Sequence, residues 1–515
     1  MVGQSLMAGK RGLIMGVANN RSIAYSIAKA CSDAGAEIAL TYQGEQFKKR
    51  VEPLAEELGA IVAGHCDVTD MESLDAVFDF VNQRVPLAFA FTLAANVLHD
   101  AADAVAVRGR SSSVSVRLGK VESTEASEGD DMSLRVFVGK RVASVSATAS
   151  SDPKALAERA VAMAKVSPDD PYQGLADSSL LATAPRDLDL YDATTVSAAD
   201  LKADALAAEE AALAVTGVTN SSGSGASAGL GGLVLATSHG FLGHYVATRF
   251  SRSVSVIAGE GAAMQRDYGW HSAHHLSDLE SVAAIGTRAG TRAVARLNPG
   301  KAPVGKVPVL FDPRVSGGIV GHLLAAIAGP AIARGTSFLL GKEEQALFDS
   351  SILIHDDPHR PRGLRSRAFD GEGLPTAPRD IVTGGKITGW LLDTASAKQL
   401  GLQPTGHASR GGGAAGVTAS NLHLAAGAQS PEALMADIGE GVYLTELIGH
   451  GVNPVTGDYS RGASGFLIRD GRIDKSVQSG HIALSIQDLP AIMRILQKPC
   501  FFQTFLQASL CIFNI

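Results

Sequence analysis

The chain has 515 residues, with 45 basic against 52 acidic, for a formal net charge of −7. At roughly 150 residues per domain, that length predicts about three domains. Hydrophobic residues at 45% exclude disorder over the whole chain, and no basic stripe of the kind a nucleic-acid binder carries is present.

Four cysteines, Cys31, Cys66, Cys500 and Cys511, are too few and too scattered for a disulfide framework or a zinc site. They fit a reducing compartment. The first residues lack an uninterrupted apolar run before a cleavage site, so no signal peptide is expected. Residues 85–98 are apolar but short for a span, and 499–515 are uncharged but broken by Gln503, Thr504 and Gln507. Both read as core or tail, with no membrane role.

Residues 11–17, 37–42 and 61–68 read as buried strands, with helices at 22–35, 45–59 and 70–81. This alternation predicts a parallel sheet with right-handed crossovers. From about residue 100 the pattern becomes antiparallel. Residues 104–107, 113–118 and 133–146 alternate apolar and polar, the last run turning at Gly139-Lys140. Asp152 and Pro153 open a helix filled by 155–166. Residues 169–192 read as loop. An alanine-rich helix follows over 197–215, with Ser197 and Asp200 at capping-box spacing.

The glycines and serines of 217–232 read as tight turns, with strands at 233–237 and 245–257 around them. A helix is expected over 276–297, boxed by Ser277 and Glu280. A strand at 307–311 ends in Asp312-Pro313 and leads into a helix over 315–334. The remainder to about 473 reads as strands with polar turns and one short helix, 431–438, capped by Ser430.

The segment from Gly16 to Ala24 follows the first strand and opens the first helix, where a dinucleotide pyrophosphate meets helix N-terminal amides. The strict G-x-G-x-x-G is absent. The stretches GKRGLIMGVANNRSIAYSIAKA, LTYQGEQFKKRVEPLAEELG and HCDVTD closely resemble, in order and spacing, the start of the bacterial enoyl-acyl-carrier-protein reductases. The resemblance implies an NADH site. Gly16, Ser22 and Ile23 would flank the phosphates and nicotinamide side, Gln43 the adenosine ribose, and Asp67 and Val68 the adenine. It stops near Val81, before the fourth strand and the family's catalytic tyrosine and lysine. Half a crevice predicts weak NADH binding, millimolar or poorer, at about −4 kcal/mol.

From about Asp100 to Arg472 the chain resembles the TldD/PmbA peptidase family, in its PmbA (TldE) branch. The stretches that carry this are long. They include DAVAVRGRSSSVSVRLGKVESTEASEGDDMSLRVFVGKRVASVSATA, GKVPVLFDPRVSGGIVGHLLAAIAGPAIARGTSFLLG and GEGVYLTELIGHGVNPVTGDYSRGASGF. The resemblance implies a cytoplasmic protein paired as a heterodimer with a TldD-like, metal-bearing subunit. The pair would be a metal-dependent protease acting on unfolded or small peptides.

A zincin helix needs His-Glu-x-x-x-His or His-Glu-x-x-His, so that two imidazoles share a face and the carboxylate activates water. No His-Glu dipeptide occurs in the chain. Where the TldD branch carries its motif, this sequence has small or apolar residues near Val320, Gly321 and Ala325, with His322 the one imidazole on that helix. His271, His274 and His275 read as loop before the next helix. His355-Asp356-Asp357-Pro358-His359 reads as a solvated turn, and no nucleophile elbow emerges. No catalytic residue and no metal ligand is therefore expected. Two glycine-rich turns, at His407–Gly413 and around His450, resemble family segments near the substrate cleft.

The sequence thus predicts an α+β protein. An antiparallel β-rich body is preceded by a partial α/β Rossmann unit at 1–82 and a junction at 83–99. An N-terminal α+β domain spans 100–300, a β-rich domain 301–473, and an unmatched tail 474–515. The expected function is a non-metal protease subunit, inactive alone, with zinc on its partner and no tightly bound cofactor. A candidate substrate groove comprises His322, His407, Arg410, His450 and Asn453. The alternatives are a remnant of an NADH-dependent enoyl reductase, or a free-standing peptide-binding module.

Overall fold

The computed structural model describes residues 11–14, 17, 19–20, 22–42, 47–65, 100–148, 151–183, 186–410, 416–427, 429–449, 451–485 and 511–514. Its first unit alternates β1 (Arg11–Ile14), α1 (Ile23–Asp33), β2 (Glu37–Tyr42), α2 (Lys48–Glu57) and β3 (Ile61–His65). The three strands pair in parallel in the order β1-β2-β3. Ser22 caps α1 by accepting from the Tyr25 amide. Val17, Ala28, Leu40 and Val51 are fully buried between the layers. The helix expected at 70–81 and the apolar run at 85–98 lie outside the described residues.

The body begins with β4 (Ala101–Arg117), β5 (Lys120–Val138) and β6 (Arg141–Thr148). After α3 (Pro153–Val166) and α4 (Ala198–Leu213) come β7 (Val218–Thr237), β8 (Leu242–Ala258) and β9 (Gln265–Ala273). These six strands form one antiparallel sheet in the order β6-β5-β4-β7-β8-β9. Residues 104–107 and 113–118 prove to be parts of a single strand. The glycine- and serine-rich stretch is not turns but most of β7. Paired along both edges by β4 and β8, it is held extended by its neighbours despite its weak intrinsic preference.

Even-numbered positions of β4 pack under helices: Ala102 and Ala104 against α3, Val114 and Val116 against α4. Helix α5 (Val282–Ala295) crosses α4 through small residues, with Ala208 and Ala212 facing Ile285, Ala289 and Ala293. It starts later than expected. A 3-10 turn occupies 276–278, and the cap is Ser281, which accepts from the Ala284 amide, rather than Ser277.

The C-terminal half contains β10 (Pro308–Phe311), α6 (Pro313–Ala326), α7 (Gly329–Ala333), β11 (Ile354–Asp356), β12 (Arg379–Thr383), β13 (Lys386–Ile387), α8 (Thr394–Leu400), β14 (Ala408–Ser409), β15 (Gly416–Val417) and β16 (Leu422–Leu424). It closes with α9 (Pro431–Ile438), β17 (Gly441–Ile448), β18 (Asp458–Arg469), β19 (Arg472–Ser485) and β20 (Cys511–Asn514). A five-stranded sheet, β19-β18-β17-β10-β20, and a four-stranded sheet, β13-β12-β11-β16, enclose a large apolar core around Phe311, Ile327, Ile354 and Leu391. The chain therefore continues as sheet beyond Arg472.

The long helix expected over 315–334 is two. The break falls at Ile327-Ala328, and the second helix opens at Gly329-Pro330, where the chain runs against the α8 entry. A Cβ on Gly329 would meet Leu392 Cδ2 at 2.6 Å and the Leu391 carbonyl at 2.9 Å.

The α4–α5 crossing makes a test. A side chain at Gly286 would collide with the Ala208 carbonyl and approach the Ala211 Cβ at 2.8 Å, whereas Gly318 on α6 has open space. Gly286→Val should lower stability by about 1–3 kcal/mol through overpacking. Gly318→Ala should be neutral or stabilising by roughly 0.5–1 kcal/mol, since alanine holds helix better. Denaturant midpoints check both, and equal behaviour of the two variants would refute the close packing.

Candidate functional site

The densest group of buried charge lies where the six-stranded sheet meets the C-terminal half. Asp103 on β4 and Arg135 on β5 are register partners. The Arg135 guanidinium donates to Asp103 Oδ2 from Nε at 2.8 Å and from Nη2 at 2.5 Å. Its Nη2 also lies 3.7 Å from Glu372 Oε1. Arg410, following β14, pairs with the other Asp103 oxygen. All four side chains are almost wholly buried. Burial works against the charge on Arg135, but Asp103 and Glu372 outweigh it and hold the guanidinium above its usual range.

The loop between β11 and β12 supplies Glu372 and Asp370. Glu372 accepts from Thr394 N at 2.8 Å and Thr394 Oγ1 at 2.6 Å, so it also caps the start of α8. Burial pushes its carboxyl up, against the pull of Arg135. Asp370 accepts from the amides of Glu372, Leu374 and Ala408 at 2.9, 3.0 and 3.0 Å. Burial, then the neighbouring Glu372, pushes Asp370 up to about 7. Gly371 N in turn donates to the Ala408 carbonyl, so the two loops are stitched together.

His407 and Arg410 flank β14, and His407 is buried with them. Its Nδ1 lies 2.9 Å from Thr405 Oγ1, and its Nε2 3.4 Å from Asp356 Oδ2. Asp356 also accepts from Ser420 N and Ser420 Oγ at 2.9 Å. Burial would raise this carboxyl, but His407 and Ser420 hold it below the usual range. The carboxylate is central here, with serine and histidine both bound to it. A nucleophilic triad needs the histidine in the middle, so this arrangement positions loops and does not activate Ser420.

His322 and Asn453 sit elsewhere. The His322 ring on α6 packs edge-on to Tyr459 of β18 at 5.7 Å. Burial, with Arg461 nearby, lowers its pKa. His322 Nε2, Tyr459 Oη, Arg461 Nε and Thr445 Oγ1 are buried polar atoms without a hydrogen-bond partner. Asn453 forms an exposed turn, its Oδ1 accepting from the Val455 and Thr456 amides. Val452 beside it bridges to Tyr459, so Asn453 adjoins the His322 pair. His450 lies outside the described residues. The candidate groove residues thus fall into two groups, His407 with Arg410 and His322 with Asn453.

Of the three histidines expected in loop, His274 and His275 lie in the bend before the 3-10 turn and His271 does not. His271 belongs to β9, His274 Nδ1 lies 2.5 Å from the Thr248 carbonyl, and His275 Nε2 lies 2.9 Å from the Asp189 carbonyl. His355 is not in a solvated turn but on β11, its Nδ1 2.7 Å from Asp380 Oδ1. Among the described residues no group of three or more His, Cys, Asp or Glu side chains is arranged to hold a metal. On α6, Val320, Gly321 and Ala325 offer no ligand atoms, so this helix does not fit zinc.

In the N-terminal unit the Ser22 hydroxyl is engaged locally, donating to the Asn19 carbonyl at 2.8 Å while capping α1. Ile23 opens that helix. Gly16, Gln43, Asp67 and Val68 lie outside the described residues. Strand β1 has a partner on one side only among the described residues. A dinucleotide lies across the two halves of such a sheet, so the described part supplies one wall of that crevice.

Asp103, Arg135, Asp370 and Glu372 escaped the sequence reading. A signal was present. In AADAVAV and SLRVFV a single charge occupies an inward position of an otherwise apolar alternation, which marks a buried ion pair.

Comparison with known proteins accords with this architecture. Residues 102–164, 191–297 and 304–512 match profiles described as PmbA/TldA metallopeptidase domain 1, central domain and C-terminal domain. Residues 16–103 match one described as enoyl-(acyl carrier protein) reductase. The chain is 38% identical to metalloprotease PmbA of Escherichia coli O157:H7 over 394 residues, covering 76% of this chain and 86% of that protein. It is 37% identical to the PmbA homolog of Haemophilus influenzae over 380 residues, covering 73% and 83%. TldE from Thermococcus kodakarensis has the same fold, with a TM-score of 0.72 at 21% identity over 82% of this chain and 97% of that one.

The fold and the three matched profiles define a PmbA/TldE-type α+β body. The chain belongs to the PmbA/TldD metalloprotease family. Its N-terminal segment is 70% identical over 79 residues to an NADH-dependent enoyl-acyl-carrier-protein reductase of Rhizobium meliloti, which is 15% of this chain and 29% of that protein.

Asp370 makes the junction sensitive to pH. The folded protein keeps its proton to about pH 7, while an unfolded chain releases it near pH 4, at about 3.9. A carboxyl raised in this way contributes most below the unfolded pKa, and its contribution falls as pH rises toward 7. His274 and His423, held low by burial, change the total in the opposite sense. The informative quantity is therefore a difference. From pH 5 to pH 8, the stability of Asp370→Asn relative to wild type should shift in the variant's favour. Urea titrations at several pH values measure it, and a pH-independent difference would contradict the assignment.

Proposed function

We propose that this chain is the non-metal, PmbA/TldE-type subunit of a cytoplasmic heterodimeric metalloprotease that degrades unfolded or small peptides. Zinc belongs to a TldD-like partner carrying His-Glu-x-x-x-His, and this chain is inactive alone. One observation carries the reading: helix α6 holds apolar or small residues at Val320, Gly321 and Ala325 within a body of the metalloprotease family.

In this reading the chain binds and presents peptide. His322, His407, Arg410, His450 and Asn453 belong to the groove. The unpaired His322 Nε2, and glycine-rich turns that let a peptide backbone approach, support that assignment. Residues 1–82 form a partial Rossmann unit that retains at most weak NADH binding. Residues 83–99 join it to a two-part body, at 100–300 and from 301 onward, the second part running past the expected bound at 473 into β19.

Metal analysis of the purified chain should find no stoichiometric zinc. Cleavage of an unfolded or short peptide should appear only after a His-Glu-x-x-x-His relative is added. Zinc at one per chain, with cleavage by this chain alone, would overturn the reading. Oxidation of NADH with an enoyl thioester would instead assign the reductase remnant a working role.

A further inference from the structure

A cavity of about 120 Å³ lies behind the junction, between the sheet and the stitched loops. That is roughly the liquid volume of four waters. Its apolar walls include Leu235, Tyr245 and Phe369, and its polar lining comes from Arg367, Asp370 and Arg410. Phe369 packs against Tyr245 with ring centroids 5.8 Å apart.

The polar lining is under-partnered on the donor side. The Arg410 side chain is 1% exposed; its Nη1 is engaged by the Asp103 carboxylate, while its Nε and Nη2 have no hydrogen-bond partner. Arg367 spends its two terminal nitrogens on the Ala408 and Thr418 carbonyls and leaves Nε unpaired. Burial pushes Arg410 down to about 10, so Asp103 does not fully offset the loss of water around it. Buried charged donors left without acceptors cost free energy that an entering anion recovers. A guanidinium is the group best matched to a planar, two-oxygen acceptor.

We infer that this cavity is a binding site for a carboxylate bearing a short aliphatic chain, with Arg410 and Arg367 holding the carboxylate and Tyr245, Phe369 and Leu235 enclosing the chain. The aromatic wall favours an anion that carries a hydrocarbon chain over a bare inorganic one. The carboxylate could come from a free short-chain acid or from the C-terminus of a peptide. The inference rests on the proposed groove for its setting. Its test needs neither the partner subunit nor proteolysis, so the two can fail separately.

Isothermal titration of the full chain with propionate and with propionamide is the first arm. Propionate should bind saturably and propionamide should not. A short peptide ending in alanine, as free acid and as C-terminal amide, is the second arm. Binding by both acids assigns the site to carboxylates of either origin, and binding by the peptide acid alone assigns it to chain termini. Arg410→Gln should weaken binding roughly tenfold or more, and Arg410→Lys should recover part of it. If Arg410→Gln fails to fold, the acid-against-amide comparison on wild type still decides. No saturable binding of either acid means that water fills the cavity, and this or equal binding of acids and amides overturns the proposal.

Discussion

The body is organised around a buried lattice of four charges, Asp103, Arg135, Glu372 and Arg410. Each was withdrawn from water at a cost that only its opposite-signed neighbours offset. Removing one partner from such a group is worth several kcal/mol, because it strands the others. The lattice is not a general adhesive. It is directional, and it fixes the face of β4 and β5 against one loop. That loop, through Glu372, caps α8 at Thr394, and through Asp370 sets the Ala408 backbone. The placement of His407 and Arg410 follows from those two links.

A second ionic group ties the opposite side of the sheet to the same half. Arg314 Nη1 donates to Asp267 of β9 at 2.8 Å, and Arg314 Nε to Asp312 at 3.2 Å. Arg296 reaches Glu446 of β17 at 2.5 Å. Tyr443 donates to Asp312 at 2.5 Å, and burial with that carboxylate pushes its hydroxyl above the ordinary range. With ties at β4–β5 and at β9, the two halves hold one relative orientation. The part of the sheet carrying Ser222–Gly225 and the half-exposed Tyr268 and Trp270 forms a shallow open groove of about 420 Å³.

Much of this was legible in the sequence because local rules and tertiary demand agreed. Ser197 and Ser430 cap the helices they were expected to cap. The Gly139-Lys140 turn joins β5 to β6. The disagreements have a common cause. The glycines and serines of β7 satisfy a turn pattern locally, but two long neighbours impose extension. Apolar periodicity runs through 315–334, but the helix breaks at Ile327-Ala328, just before Gly329 packs closely against the α8 entry. His271 and His355 were read from spacing alone, and spacing does not reveal that strand pairing fixes both. The charge lattice draws its members from four distant points in the chain, so no single window contains it.

The claim that this lattice acts as one unit across the junction is tested most directly by a double-mutant cycle between Arg135→Met and Glu372→Gln. The two groups lie on opposite sides of the junction, 3.7 Å apart. Unfolding free energies of wild type, both single variants and the double variant give the interaction term. The account predicts that the two losses fall short of additivity by about 1 kcal/mol or more, since each removal already strands the other. Additivity within about 0.5 kcal/mol would contradict it.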